Sequence, residues 1–306
     1  MELAKMNELF ILVPLFIILF ILGLYVIRHF RFAINRLFGT QHNLYAEIIE
    51  ANWPSVTILI AAHNEEAVIA DILLGILQVD YPLDKLQVII VNDRSTDDTG
   101  NIVDAFIHNH PGRFTHFFRK EGSPGKSAAL VDAMPLIQGS ISLFFDADYV
   151  PGKFLIKELV SPFFDPEVGS VMGRVIPGNT SKNLLTRLID LERTGGYQVN
   201  QQARENLRTI PQYGGTSGGL RTQALKEVGG WNAKYLAEDT EITFRLLCQQ
   251  WLVVYQNNAE CIELVPETWP VRIRQIKRWA KGHNQVLFKL GILAYRDHSF
   301  LFYRDQ

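Results

Sequence analysis

The residues best placed to act on a ligand are acidic, and they recur behind apolar runs. Asp146-Ala147-Asp148 sets two carboxylates at i and i+2 directly after the apolar run 140–145. Such a pair can bracket one hard cation, and Mg²⁺ or Mn²⁺ favours few carboxylates completed by phosphate oxygens. A solvated acidic turn explains the same residues, since Asp is common in turns. His63-Asn64-Glu65-Glu66 and Asn92-Asp93-Arg94-Ser95-Thr96-Asp97-Asp98 follow two further apolar runs. The second also fits a turn with Thr96 as helix cap, which leaves Asp93 available for another use.

Other charged segments have suggestive spacing. Gly125-Lys126-Ser127 matches the end of a P-loop, but that motif requires glycine where Lys120 stands. Lys126 can still meet a phosphate or a sugar from a helix start, or be an ordinary surface lysine. No G-x-G-x-x-G follows the first apolar run, which argues against a dinucleotide site. Glu238, Asp239 and Glu241 can serve a ligand or merely favour a helix N-terminus. Arg278 and Trp279, in Gln275-Ile276-Lys277-Arg278-Trp279, can do likewise or merely anchor a helix at a surface.

For these residues to meet, several strand ends must lie side by side. Residues 55–62, 86–91, 114–119 and 140–145 are predicted strands, and 65–77, 96–107 and 126–137 are predicted helices between them. This alternation, with near-continuous apolar strands, predicts an α/β fold whose mostly parallel sheet is covered on both faces. Ligands of such open sheets sit at the carboxyl ends of the strands, where the acidic clusters stand. Beyond Pro151, residues 168–176 and 252–256 read as strands, and 182–207, 239–250 and 269–290 as helices. Gly214, Gly215, Gly218 and Gly219 crowd one loop.

The chain has 306 residues, 47% of them hydrophobic and 20% charged, with net charge −2. This excludes a disordered chain. With 30 basic against 32 acidic residues, electrostatic capture of nucleic acid is disfavoured as well. Cys248 and Cys261 form no C-x-x-C pair, so neither a disulfide scaffold nor a cysteine zinc site is supported. Residues 9–27 carry no charge and span about 28 Å as a helix, enough to cross a hydrocarbon core. Arg28, Arg31 and Arg36 follow this run, while only Lys5 precedes it. That asymmetry predicts an external N-terminus and a cytoplasmic remainder. Bulky Tyr25 and Phe30 stand where a signal-peptide cleavage site would need small residues.

Taken in order, the strand-end N-E, the N-D-x-S-T-D, the D-x-D, the E-D before a helix and the Q-x-x-R-W resemble the family-2 glycosyltransferases, over residues 54–290. Q-x-x-R-W resembles the membrane-bound polysaccharide synthases in particular. Residues 251–282, with Pro266-Glu267-Thr268, are most similar to the poly-N-acetylglucosamine, chitin and hyaluronan synthases. The resemblance implies a GT-A fold, a UDP-sugar donor, a divalent cation (Mg²⁺ or Mn²⁺) and an inverting reaction. It implies that Glu65 and Asp93 meet the uridine, and that Asp146 and Asp148 serve donor and metal, with Asp148 the direct ligand. It makes Asp239 the general base with Glu238 beside it. Gln275 and Arg278 then meet the diphosphate and Trp279 the acceptor sugar. Lys126 joins the donor side. Two departures stand out: Ala237 replaces the usual threonine, and Arg94 replaces a glycine whose positive φ an arginine disfavours.

The expected organisation is an N-terminal transmembrane anchor (1–30), a juxtamembrane connection (31–54), the transferase domain (55–265) and a basic amphipathic interfacial region with Q-x-x-R-W (266–306). Polymer-exporting relatives continue into several membrane helices. The 306 residues are therefore expected either to be a truncated piece or to need additional synthase or export subunits. The expected activity is transfer of N-acetylglucosamine to a growing polysaccharide or glycan at the cytoplasmic face of the inner or plasma membrane. A non-processive glycolipid-forming transferase, and a silent membrane-tethered nucleotide-sugar-binding subunit, are the alternatives.

Overall fold

The computed structural model describes residues 2–41 and 52–297. Part of the expected juxtamembrane connection (42–51) and the C-terminal tail (298–306) lie outside the described residues. The elements run α1 (Glu2–Phe38), β1 (Val56–Ala62), α2 (Ile69–Leu77), β2 (Leu86–Asp93), α3 (Thr99–Asn109), β3 (Phe114–Arg119), α4 (Lys126–Ala133) and β4 (Ile141–Asp146). They continue with β5 (Val150–Pro151), α5 (Leu155–Val160), β6 (Val168–Pro177), α6 (Leu184–Thr194), a π-helical stretch (Gly195–Gln201) and α7 (Gln202–Asn206). The last are β7 (Gly218–Arg221), α8 (Thr222–Glu227), α9 (Glu238–Cys248), β8 (Leu252–Glu263) and α10 (Trp269–Asp297).

One eight-stranded sheet has the order β3-β2-β1-β4-β7-β6-β8-β5. The first four strands are parallel neighbours. β1, β2 and β4 read as apolar runs because both faces are covered, with Ile58, Leu59, Ile60, Ile89 and Ile90 fully buried, whereas β3 at the edge is partly exposed. Each such side chain contributes about 1.5–3 kcal/mol relative to exposure. The strand order reverses at β1, and Ala61 pairs with Asp146 while Ala62 pairs with Asn92. Chain segments leaving β1, β2 and β4 therefore emerge together on one edge, the crevice position for ligands.

The second half is mixed. β7 is antiparallel to both β4 and β6, β6 is parallel to β8, and β5 is antiparallel to β8. β7 is the strand the sequence reading leaves as a glycine loop. A Cβ on Gly218 would meet the Val171 carbonyl at 2.5 Å, and one on Gly219 would meet Leu143 at 2.4 Å. Close strand approach demands glycine here, and glycine erases the apolar alternation that signals a strand.

Several helix bounds differ from expectation. α2 begins at Ile69, behind a turn, rather than at 65, and α3 begins at Thr99 with Asp98 in the cap position. The side chain of Asn64 accepts from the Thr96 N–H at 2.8 Å, so Thr96 belongs to the loop instead of capping the helix. The expected helix over 182–207 is interrupted by the π-helical stretch, which opens on Gly195-Gly196. Inside it, Tyr197 is buried and stacks on Tyr255 at 6.3 Å.

α1 includes Leu12–Phe38, a stretch long and apolar enough to cross a membrane. Its C-terminal part rests on the π-helical stretch and α7. There Phe32 is buried, Arg36 donates to Gln198 at 3.2 Å, and Asn206 donates to Asn35 at 2.8 Å.

Candidate active site

Asp146 closes β4, and Asp148 follows it. Lys126, the first residue of α4, donates to Asp146 at 2.5 Å and to the Gly215 carbonyl at 2.8 Å. The side chain is about a quarter exposed (26%), so it bridges two segments at the rim of a crevice and is not a loose surface lysine. Burial disfavours its charge, but Asp146, Glu238 and Asp239 outweigh that and raise its pKa.

The carboxylate of Asp148 is met by its own backbone N–H. Burial, with Asp146 next and Glu65 and Glu263 beyond it, pushes its pKa up to about 7. Asp146 already has Lys126, whereas burial and neighbouring carboxylates act on Asp148 without a cation to offset them, as in a cation site before its ion binds. Among the described residues no three His, Cys, Asp or Glu side chains form a metal-binding group. Two carboxylates with open coordination nonetheless fit Mg²⁺ or Mn²⁺, which keep waters or substrate phosphates as further ligands.

Glu65 is half-buried behind β1. Its pKa is raised by burial first and then by Asp146 and Asp97. Its backbone N–H donates to Thr99 at 2.8 Å, which ties the loop after β1 to α3. Asp93 lies at the end of β2 and is buried. It accepts from Arg94 at 2.9 Å, Arg119 at 2.8 Å and the Gly125 N–H at 2.9 Å. Burial opposes ionisation, yet these donors hold its pKa below the usual range. Asp93 therefore organises the crevice wall, and Gly125 ties that wall to Lys126. Arg94 adopts φ 59° despite its side chain, and bonds to Asp93 and to the Gly122 carbonyl at 3.0 Å hold it there.

Glu238 and Asp239 open α9. Burial pushes both carboxyls up. The Thr240 N–H at 2.7 Å, His283 and Lys126 pull Asp239 part of the way back. Gly215 has φ 75°, and a Cβ there would stand 3.1 Å from the Asp239 Cβ. The glycine loop thus passes directly over Asp239 while its carbonyl holds Lys126 and Thr216 receives the Asp146 N–H at 3.2 Å.

The Q-x-x-R-W residues lie on α10. Gln275 accepts from Arg272 at 2.5 Å, and Arg278 is exposed. The guanidinium groups of Arg193 and Arg272 both lie over Trp279, at 5.3 and 5.1 Å from its ring centre. Asp146, Asp148, Lys126, Glu65, Glu238 and Asp239 share one crevice by their mutual electrostatic influence. No hydrogen bond or ion pair joins Gln275, Arg278 or Trp279 to those six among the described residues.

The sequence reading missed Arg119, Thr216 and Tyr213. Tyr213 is fully buried, its hydroxyl is unpartnered, and Asp239, Glu238 and Asp146 influence it. The glycine crowding at 214–219 was the available signal for this loop.

The family model described as "Glycosyltransferase like family 2" matches residues 54–282. The chain is 36% identical over 238 residues to the probable glycosyltransferase YdaM of Bacillus subtilis, covering 77% of this chain and 57% of that one. It is 31% identical to the beta-monoglucosyldiacylglycerol synthase of Nostoc sp., covering 87% and 56%. It is 28% identical to the poly-beta-1,6-N-acetyl-D-glucosamine synthase of Staphylococcus epidermidis, covering 76% and 56%. The chain spans about half the length of the curated relatives it matches. Among solved structures, the mannosyltransferase PcManGT from Pyrobaculum calidifontis, in complex with GDP-Man and Mn²⁺, aligns with TM-score 0.71 at 23% identity, covering 88% of this chain and 73% of that one. That likeness speaks for the fold, a mixed α/β architecture of GT-A type.

Proposed function

The chain belongs to the glycosyltransferase-like family 2, and from that premise we propose that it moves a sugar from a UDP-sugar to an acceptor hydroxyl at the membrane surface, with inversion. The observation that carries this reading is the meeting of Asp146, Asp148, Lys126, Glu238 and Asp239 at the carboxyl edge of the sheet. In this reading Asp239 accepts the proton of the acceptor hydroxyl as that oxygen attacks the anomeric carbon. General-base help of this kind is worth roughly 10²–10⁴-fold. Lys126 lies where the donor diphosphate arrives, and its ammonium meets the charge left on the departing group. Glu65 and the wall organised by Asp93 flank the uridine. Arg278 and Gln275 meet the diphosphate from α10, and the edge of the Trp279 indole, whose ring already carries Arg193 and Arg272, meets the acceptor sugar. A divalent cation held by Asp148 and Asp146 would supply further charge neutralisation at the diphosphate.

α1 anchors the unit, with Arg28, Arg31 and Arg36 on the cytoplasmic side. Transfer of N-acetylglucosamine to a growing glycan is the reaction that the Q-x-x-R-W likeness supports. A glycolipid-forming reaction is the second reading. It is favoured by the 31% identity to a beta-monoglucosyldiacylglycerol synthase and by exposed Trp269, Ile273 and Ile276 on α10, which suit an acceptor lying in lipid.

The test offers the full chain in mixed micelles UDP-N-acetylglucosamine, UDP-glucose and GDP-mannose. Dioleoylglycerol or an N-acetylglucosamine tetramer serves as acceptor, and released nucleotide and product mass are read. The reading expects UDP release with a glycosylated acceptor. Turnover of GDP-mannose alone would refute the donor, and binding without turnover would leave a silent nucleotide-sugar-binding subunit.

A further inference from the structure

α10 meets the transferase domain through an interlock that residues outside Q-x-x-R-W build around Trp279. Arg193, near the end of α6, donates from Nε to Glu263 at 2.6 Å and from Nη2 to its other oxygen at 3.0 Å. Glu263 closes β8 and is buried (5% exposed). The same carboxylate accepts from the Tyr149 hydroxyl at 2.9 Å. Tyr149 is buried and directly follows Asp148. The other face of the Arg193 story is the indole of Trp279, over which its guanidinium lies at 5.3 Å. A continuous path thus runs from the residue after the D-x-D, through a carboxylate and a guanidinium, to the tryptophan of α10.

Arg272 also lies over the indole, at 5.1 Å; it is 2% exposed and pairs with Glu192, the neighbour of Arg193 on α6. Arg272 rides on the same helix as Trp279 and its partner Glu192 lies on α6, so it ties the ring to α6 and cannot by itself fix it to the sheet. Arg193 can, because a bidentate guanidinium–carboxylate pair defines both distance and plane. The launch of α10 is pinned to the start of α6 as well. Asn179 exchanges hydrogen bonds with the Val265 backbone at 2.9 and 3.0 Å, and Asn183 donates to the Glu267 carbonyl at 2.9 Å.

We propose that Arg193 is a positioning residue that sets the Trp279 ring against the D-x-D edge by bridging it to Glu263 and Tyr149. The role of Trp279 as acceptor platform rests on the function proposed above, whereas the ring's fixation does not. Lysine at 193 keeps the charge but can neither fork onto Glu263 nor stack flat on the indole. Glutamine at 263 keeps the shape and the Tyr149 bond but weakens the pair with Arg193.

The experiment compares the full wild-type chain with Arg193→Lys and Glu263→Gln in detergent micelles. Acrylamide quenching of Trp279 is isolated by subtracting the signal of the matching Trp279→Phe chain. Both variants should increase that quenching, Arg193→Lys about twofold. With dioleoylglycerol or the N-acetylglucosamine tetramer, whichever the wild-type chain glycosylates, Arg193→Lys should raise the acceptor KM about tenfold and move the donor KM less than twofold. Combining Arg193→Lys with Trp279→Phe should add little to Trp279→Phe alone. Unchanged Trp279 quenching in both folded variants overturns the positioning role, as does a donor KM that rises in step with the acceptor KM. Quenching needs no substrate, so a chain that glycosylates neither acceptor refutes the proposed function while still deciding what Arg193 does.

Discussion

The two halves of the sheet are built on different principles. In β1, β2 and β4, parallel strands run as buried, largely apolar stretches with carboxylates at or beyond their ends, and backbone register aligns Asp146 with the ends of β1 and β2. In β5–β8, mixed strands pack through glycine, and long side-chain bridges such as Arg193–Glu263–Tyr149 fix the adjoining helices. The first half needs only hydrophobic periodicity to place its donor-side carboxylates. The second needs particular side chains at particular positions, so single substitutions there should change geometry more than fold.

The largest expected break is chemical. Asp239→Asn should reduce transfer by roughly 10²–10⁴-fold while UDP-sugar affinity, read by calorimetry, changes only a few-fold. Retained turnover would remove Asp239 as the base. Next is the acid limb of the pH profile. Burial raises the Asp239 carboxyl, and a base works only when unprotonated. kcat/KM should therefore fall on acidification at a pH above the ~3.9 of a free aspartate. Asp148, at about 7 in the absence of a cation, should contribute a further loss below neutrality. Raising Mn²⁺ should push that second limb to lower pH, because the cation competes with the proton; a profile indifferent to Mn²⁺ would count against it.

A smaller effect tests the glycine packing within the second half. Gly218→Ala forces a Cβ to 2.5 Å from the Val171 carbonyl, and thermal or urea melts should report about 1–3 kcal/mol of destabilisation. Gly195→Ala meets nothing within 4 Å and has helical φ, −62°, so it should be neutral or stabilising by about 0.4–1 kcal/mol. Equal melting of the two variants would contradict the claim that β7 depends on glycine.

Legibility in the sequence follows the same division. The runs over 55–62, 86–91 and 140–145 stand out because double-sided burial leaves them apolar, and the carboxylates at their ends follow from position alone. β7 was hidden because Gly218 and Gly219 have no side chain to pattern. β8 extends to Glu263, well past the expected 256, because its later residues alternate buried and exposed while apolar Ile262 faces outward and charged Glu263 inward, which hides the pattern. The loop after β2 was misread at Thr96 because its hydrogen bonds come from Asn64, on another strand end. The conformation of Arg94 depends on Asp93 and Gly122, partners that lie on one site only after folding. Arg193, Glu263 and Tyr149 are far apart in the chain, and no local period links them.

The central claim is that the strand-end carboxylates form a cation-assisted site for a nucleoside diphosphate. Titration calorimetry of UDP into the full chain tests it most directly, first with Mn²⁺, then in excess chelator, then with Asp148→Ala. The account predicts saturable heat with Mn²⁺ that is lost in the chelator and in the variant. Equal UDP affinity under all three conditions would contradict it.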